Sequence, residues 1–406
     1  MTTKEEKIKF LVFSAAFPYR GGISDSTHSL CNELIRSRIN TEVWTFSLLY
    51  PSFLFPGKSQ YSNEQYEQNF KVRRLINTIN PFNWIKVSIM ANNVLPNSII
   101  LRYWSPILIF PYFFIRLFLN KRISIIGLID NWDNHEKIVF ERLLRRLFLY
   151  TCDKFITMSD NVGKQVKQST NKKAVTLFHP INSKLPQIKD KKSAKISLGL
   201  DDITYISFVG LIRGYKGLET LIKSMKFIDN KNIKLIIAGE FYEPIEKYLN
   251  IIKNLGLDDK IIIKNEFLDS KMIRDFICAS DLIIQPYIKA SQSGITPLCY
   301  FYETPSVVSN IDGLKEINHF LSPGEVEINN KATGNNGEPL AFSMNEMGSG
   351  LSDNYSYLDM SAEELSAKGD GGLRMMHSYT GWSENQSIAT PPENYVPNKV
   401  GNVDMG

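Results

Sequence analysis

The chain predicts an α/β fold in which parallel sheets are covered on both faces by helices, and three observations carry that expectation. Short runs of near-continuous apolar residues recur, as in Tyr205–Val209, Lys234–Ala238, Lys260–Ile263 and Asp281–Ile284. Between them lie helical patterns such as Leu218, Leu221, Ile222 and Met225, whose spacings of three and four gather apolar side chains on one face. Several runs also stop at a turn signal: Gly210, Gly239-Glu240 or Gln285-Pro286. Strands of this kind belong to sheets buried on both sides, and ligands of such sheets bind beyond the carboxyl ends of the strands.

Taken in order, Ile8–Phe13 is a first strand leading to Phe17-Pro18-Tyr19-Arg20-Gly21-Gly22. A helix follows, with Ser24, Asp25 and Ser26 as candidate N-caps and Leu30, Leu34 and Ile35 as its apolar face. Gly21 and Gly22 let backbone amides approach a ligand, although a plain turn explains two glycines equally well. No G-x-G-x-x-G fingerprint is present, which argues against a nicotinamide enzyme. Thr41–Phe46 is a second strand, and Tyr50–Lys58 is an aromatic, proline-punctuated loop that reads as an acceptor or membrane contact or as a packed Ω-like loop. Pro106–Leu119 is too short to span a bilayer and is expected to be a core helix, ahead of a membrane-surface helix.

Ile99–Trp104 and Ser124–Ile129 are further strands. The second runs into Asp130-Asn131-Trp132-Asp133-Asn134-His135-Glu136, a polar cluster at the ligand edge of an open sheet, where Asp130 and His135 are the candidate catalytic residues. Asp153–Thr157 and Val175–Leu177 complete the strands of the first half, and His179 beyond them reads as structural. A Lys-rich stretch from Lys184 to Lys195 reads as a solvated linker. In the second half, Arg213 supplies a fork and Lys216 a point charge for a phosphate group. The turn Ser291-Gln292-Ser293-Gly294 opens a helix whose first N–H groups and dipole favour an anion.

The run Phe208-Val209-Gly210-Leu211-Ile212-Arg213-Gly214-Tyr215-Lys216-Gly217 resembles the donor-phosphate loop of glycosyltransferase family 4. Ala238-Gly239-Glu240 and Gln285-Pro286-Tyr287 through Gly294 are similar to later elements of that family, and the resemblance spans about residues 8–316. Many members carry two glutamates eight apart near this turn; the matching positions here are Ala290 and Leu298, so the chain resembles a subgroup with a Ser/Thr-Gln-Ser-Gly turn instead. The resemblance implies a GT-B fold, two Rossmann-like domains with parallel sheets facing across a cleft. It also implies a retaining, hexosyltransferase-like enzyme that moves a sugar from a nucleoside-diphosphate donor to a hydroxyl of a glycan or lipid-linked glycan. It places Gly21, Gly22, Arg213, Lys216, Glu240, Gln292, Ser293 and Gly294 at the donor, and Asp130 and His135 near the transferred sugar or the acceptor. The expected domains are 1–183 on the acceptor side, a linker 184–200, and an incomplete nucleotide-sugar domain 201–318. Residues 319–406 are an atypical tail.

Composition agrees with anionic ligands. The 406 residues hold 47 Lys and Arg against 42 Asp and Glu, but residues from His319 onward contain four basic and twelve acidic ones, leaving the body at about +13. That tail is rich in Gly, Ser, Asn and Glu and is expected to be disordered or loosely ordered. Neither a basic helix nor an aromatic RNA-binding motif points to nucleic acid. Cys31, Cys152, Cys278 and Cys299 are widely spaced and read as buried thiols of a reducing compartment. With no Asp-x-Asp and no dense His/Cys group, neither a metal nor another cofactor is expected. The polar start, Met1–Lys9, carries no secretion-signal pattern, so a cytoplasmic location is expected, with peripheral contact at the inner membrane face as an extension of it. A non-catalytic GT-B binding partner, or a sugar-nucleotide epimerase or phosphorylase on the same fold, are the alternative functions.

Overall fold

A computed structural model of the protein describes residues 10–55, 57–62, 69–132, 141–177 and 185–315. The chain divides into two compact units between Leu185 and Pro186. The tail from residue 319 and the His135 and His179 positions lie outside the described residues.

The first unit is built on β1 (Phe10–Phe13), β2 (Thr41–Leu48), β3 (Lys71–Asn77), β4 (Ser98–Tyr103), β5 (Ser124–Ile129), β6 (Lys154–Thr157) and β7 (Ala174–Thr176). They form one parallel sheet in the order β3-β2-β1-β4-β5-β6-β7. Its described helices are α1 (Gly22–Arg36), α2 (Pro81–Val94), α3 (Ile109–Phe118), α4 (Glu141–Thr151) and α5 (Asp160–Ser169). Alternate residues of each strand enter different cores. Leu11, Phe13, Trp44 and Phe46 pack with Trp84, Tyr112 and Phe148 of α2, α3 and α4. Val12, Val43 and Ile100 pack instead with Cys31 of α1. Covering both faces is what the apolar strands require.

Neither β3 nor α2 is among the elements expected from the sequence. β3 lies at the sheet edge and carries Lys71, Arg73 and Arg74, charges that hide a strand pattern while protecting an open edge. α2 starts where Asn80 accepts hydrogen bonds from the amides of Phe82 and Asn83 and Pro81 takes the first helical position.

α1 departs from expectation in two ways. It begins at Gly22 with Gly21 as its cap, upstream of Ser24, Asp25 and Ser26, and the Ser26 hydroxyl donates back to the Gly22 carbonyl at 2.6 Å. Its fully buried residues are mainly Ser24, Thr27, His28, Cys31 and Asn32, whereas Leu30, Leu34 and Ile35 are only partly buried. Two of these polar groups are satisfied locally: Ser14 and Thr27 share a 2.7 Å hydrogen bond, and the amide of Phe17 donates to His28 Nε2 at 3.1 Å. Ser24 Oγ and Asn32 Oδ1 find no hydrogen-bond partner among the described residues. α3 also differs from a plain core helix. Ile109, Tyr112 and Ile115 are buried, while Phe110, Phe114, Leu117 and Phe118 remain exposed.

The second unit repeats the plan with β8 (Thr204–Val209), β9 (Ile233–Ala238), β10 (Ile261–Lys264), β11 (Leu282–Gln285) and β12 (Ser306–Val308), parallel throughout in the order β10-β9-β8-β11-β12. Its helices are α6 (Lys191–Leu198), α7 (Leu218–Ser224), α8 (Glu246–Asn254), α9 (Ser270–Ala279), α10 (Ile295–Phe301) and the short α11 (Asp312–Lys315). Ile206, Phe208, Leu235 and Ile237 face α7 and α8, and Tyr205, Val209, Ile236 and Ile283 face α6, α9 and α10.

Part of the stretch expected as a solvated linker is therefore helical and belongs to this unit. Asp190 caps α6 by accepting from the amide of Ser193 at 2.8 Å. Lys195 lies buried, with its ammonium donating to the Ile203 carbonyl at 2.7 Å, and Ala194 is buried in the core. Its lysines masked this, because a charged run reads as solvated even when one member is tucked along the sheet edge. All four cysteines are free and buried. Among the described residues no helix is long and apolar enough to cross a membrane.

Burial holds the His28 imidazole at about 4, against an ordinary value of 6.5. The unfolded chain therefore takes up this proton first as pH falls. Stability from the neutral, buried ring is complete above pH 6.5 and declines as pH drops toward 4, by roughly 3 kcal/mol in all. Urea titrations at stepped pH are expected to show this slope in the wild type and a flatter one in His28→Gln.

Candidate functional site

Both sheets reverse strand order beside their first strand, at β1/β4 and at β8/β11. At such a switch point adjacent loops leave in opposite directions and open a crevice at the carboxyl edge. The sequence-predicted residues that the structure describes lie at these edges.

In the second unit the loop after β8 carries Arg213 and Lys216, with residues 214–216 forming one 3-10 turn. It is tied to the loop after β9 by the Ile212 amide donating to Glu240 O (3.0 Å) and the Tyr242 amide to Ile212 O (3.0 Å). The loop after β11 joins through the Ile288 amide, which donates to Tyr215 O at 2.8 Å. Two glycines permit this closeness. A Cβ at Gly217 (φ +67°) stands 1.9 Å from the Pro286 carbonyl oxygen, and one at Gly239 (φ +149°) stands 2.0 Å from that of Gly210. The Arg213 guanidinium lies 4.9 Å over the ring of Tyr242, and Lys216 Nζ lies 5.2 Å from the ring centre of Tyr287. Burial, reinforced by the Arg213 charge, lowers the Lys216 ammonium to about 8. The two cations are thus held near one another, in a position that favours an incoming anion.

The turn after β11 is organised from below by Gln285, which is 1% exposed. Its Oε1 accepts from Ser293 Oγ at 2.6 Å and from Thr296 Oγ1 at 3.0 Å. Ser293 Oγ in turn accepts the amides of Ile295 and Thr296 at 3.2 and 3.3 Å. Two of the N–H groups expected to be free at the start of α10 are therefore already engaged. The Ser293 hydroxyl is a cap here, and Gly294 beside it has open space where a side chain would stand. Gln292 is half-buried, and its Oε1 finds no hydrogen-bond partner among the described residues. Glu240 is buried at the end of β9. Arg213, Lys216, Glu240, Gln292, Ser293 and Gly294 therefore all lie on loops leaving the same sheet edge.

In the first unit Gly21 (φ +98°) and Gly22 follow the loop after β1, and no atom beyond their immediate neighbours comes within 4 Å of a Cβ added at either. Asp130 stands at the carboxyl end of β5, fully buried against Arg102 of β4. Arg102 Nε donates to Asp130 Oδ2 at 2.8 Å and Nη2 to Oδ1 at 2.6 Å, so both carboxylate oxygens are taken. The remaining Nη1 donates to Ile23 O at 3.1 Å and to Thr27 Oγ1 at 3.0 Å in the first turns of α1. Asp130, a candidate catalytic residue from its place in the polar cluster, is here buried as the ion-pair partner of Arg102.

Arg102 escaped the sequence reading, and Gln285 was read only as part of a turn signal, without its role beneath the Ser293 turn. Each is a polar residue near the end of an otherwise apolar strand, Ser98–Tyr103 or Leu282–Gln285, and that incongruity was the available signal. Among the described residues no group of three or more His, Cys, Asp or Glu side chains is placed to hold a metal ion.

Residues 189–333, which take in nearly all of the described second unit, match the family model of "Glycosyl transferases group 1". By that stretch the chain is related to the group 1 glycosyl transferases. An "Uncharacterized glycosyltransferase" of Methanocaldococcus jannaschii is 30% identical over 132 residues, 32% of this chain and 33% of that protein. The chain thus spans about a third of the length of this curated relative. Sucrose-phosphate synthase from Thermosynechococcus elongatus shares the fold with a TM-score of 0.61 at 13% identity, over 78% of this chain and 84% of that one. HepE of Anabaena, solved in complex with UDP-glucose, superposes with a TM-score of 0.59 at 13% identity and the same coverage. The two parallel-sheet α/β units have the GT-B fold of these structural neighbours.

Removing one partner of the buried pair strands the other charge. Asp130→Asn is expected to destabilise the first unit by about 3–5 kcal/mol in urea unfolding, whereas the paired change Arg102→Met/Asp130→Leu costs markedly less.

Proposed function

We propose that the protein is a retaining glycosyltransferase that moves a sugar from a nucleoside-diphosphate donor to a hydroxyl of a glycan or lipid-linked glycan. One observation carries this reading: Arg213 and Lys216, two neighbouring cations, stand on the switch-point loop of a domain that matches the group 1 family. Support also comes from HepE, a neighbour in fold whose structure contains UDP-glucose.

In this reading the donor diphosphate sits at the carboxyl edge of β8 and β11. Negative charge grows on the diphosphate as the glycosidic bond to it breaks, and Arg213 and Lys216 stabilise that charge. The backbone that carries them is already fixed by the hydrogen bonds among the three loops, and each side chain lies over an aromatic ring. Gly294 and the amide of Gln292 offer polar contacts beside the phosphates, and Glu240 contributes to holding the donor. Gly21 and Gly22 are assigned to the donor as well, on the loop that precedes α1, whose position Arg102 and Asp130 set. His135 is assigned to the transferred sugar or the acceptor. Retention follows when the incoming hydroxyl enters on the face the diphosphate leaves, with the diphosphate itself drawing off the proton. The cations answer the charge without a metal or another cofactor. A cytoplasmic location, where sugar nucleotides are plentiful, fits the same reaction.

A thermal-shift panel of UDP, GDP and ADP with their sugar conjugates tests the reading. One diphosphate series is expected to raise the melting temperature of the wild type and to leave Arg213→Ala/Lys216→Ala unmoved. A cooperatively melting wild type that responds to none of them sinks the transferase assignment.

The lowered Lys216 value gives a second test. Below pH 8 the free protein already carries the ammonium, so diphosphate affinity is level. Above pH 8 binding must first restore the proton, and calorimetry is expected to show affinity falling by up to about tenfold per pH unit. Lys216→Arg, whose charge does not titrate in this range, is expected to abolish the fall.

A further inference from the structure

The outer face of the α2–α3–α4 layer has no role in the fold or in the donor site, yet it is apolar. On α2, Phe82, Ile85 and Ile89 share one helix face and are exposed, Phe82 by 83%. On α3, Phe110, Phe114, Leu117 and Phe118 do the same. The stripes meet across the helix seams. Trp84 of α2 stacks on Phe114 with ring centres 5.2 Å apart, and Phe113 of α3 lies 6.2 Å from Tyr150 of α4, itself 70% exposed. The seam between α2 and α3 is fixed by Ser88 Oγ donating to Ile115 O (3.1 Å) and Asn92 Nδ2 donating to Phe118 O (2.9 Å). Adjoining apolar stripes on three packed helices are more than the scattered exposed residues found on any protein.

Charge identifies the occupant. Between Glu67 and Asp130 the chain contains no acidic residue and eight basic ones. Of these, Lys86 lies on α2 beside Ile85, and Lys121 and Arg122 follow the end of α3, all three exposed. α4 adds exposed Arg142 and Arg146. An apolar face bordered by Lys and Arg matches a bilayer surface, which offers acyl chains beneath anionic headgroups. A protein partner would also accept aromatic side chains, and the salt- and lipid-dependence of flotation separates it from a bilayer.

We propose that this face seats the protein on an anionic lipid bilayer, with Phe82, Ile89 and Leu117 entering the headgroup boundary and Lys86, Lys121 and Arg122 meeting lipid phosphates. The proposal stands on the surface itself and is independent of the transferase reading.

Flotation of the full chain with vesicles tests it. The wild type is expected to float with phosphatidylcholine–phosphatidylglycerol vesicles, less so as salt rises, and to stay behind with phosphatidylcholine alone. Phe82→Ser/Ile89→Ser/Leu117→Ser is expected to lose flotation with an unchanged melt, since all three side chains are exposed. Lys86→Gln, Lys121→Gln and Arg122→Gln are each expected to weaken partitioning by about fivefold. Flotation that survives the triple Ser variant overturns the proposal. So does a wild type that ignores anionic vesicles, including one that sediments as a dimer which the triple variant dissolves, because the face then belongs to a second copy. Nucleotide thermal shifts on the triple variant separate this result from the donor site: they persist if only the lipid surface has been removed.

Discussion

Parallel strands cannot be joined by tight hairpins, and that restriction governs most of this structure. Each strand has to be followed by a crossover that returns the chain to the same end of the sheet. Every loop that leaves a carboxyl end therefore collects along one edge, and every strand is sealed above and below. The helices account for the apolar runs, and the loops account for where polar residues concentrate. Because the order of strands reverses at β1/β4 and β8/β11, each unit contains one place where neighbouring loops diverge. Gly21 and Gly22 lie beyond one of them; Arg213, Lys216 and the Ser293 turn lie around the other.

At the second of these places precision comes from backbone rather than side chains. Gly217 and Gly239 allow one loop to press against the carbonyls of the next, and amide hydrogen bonds then lock the three loops together. Two like charges can be kept close in that setting because the frame beneath them does not relax away. The lowered proton affinity of Lys216 comes first from its burial in that frame and then from the Arg213 charge. In the proposed transfer, a cationic pair assembled in advance suits a leaving diphosphate, since reorganisation during bond breaking would forfeit much of the stabilisation.

Strands of the second unit were legible because burial on both faces leaves little room for polar interruption, and Tyr205–Val209 and Lys234–Ala238 fall within a residue of β8 and β9. Charged edges were not. β3 has one flank in the open, so Lys71, Arg73 and Arg74 could replace the apolar pattern without loss. α6 hid behind its lysines for a related reason: amphipathic side chains bury their stems while the sequence displays only their heads. Candidate site residues were legible where charge interrupts a loop pattern, as for Arg213 and Lys216, and illegible where a polar group supports from underneath. Asp130 shows the difference. Its position at a strand end was correctly read as polar, but the partner that decides its role, Arg102, is 28 residues away in sequence.

The Arg102–Asp130 pair also bears on how the first unit assembles. Asp130 is delivered by β5, Arg102 by β4, and the acceptors Ile23 O and Thr27 Oγ1 by α1, so the set spans more than a hundred residues of chain. A partly folded state with β4 and β5 paired but α1 undocked leaves the guanidinium short of acceptors. One with α1 and β4 in place but β5 absent buries a lone cation. Neither state is a comfortable resting point. The pair therefore penalises halfway structures, and β1, α1, β4 and β5 are driven to arrive together, trading a slower search over distant contacts for an all-or-none native state.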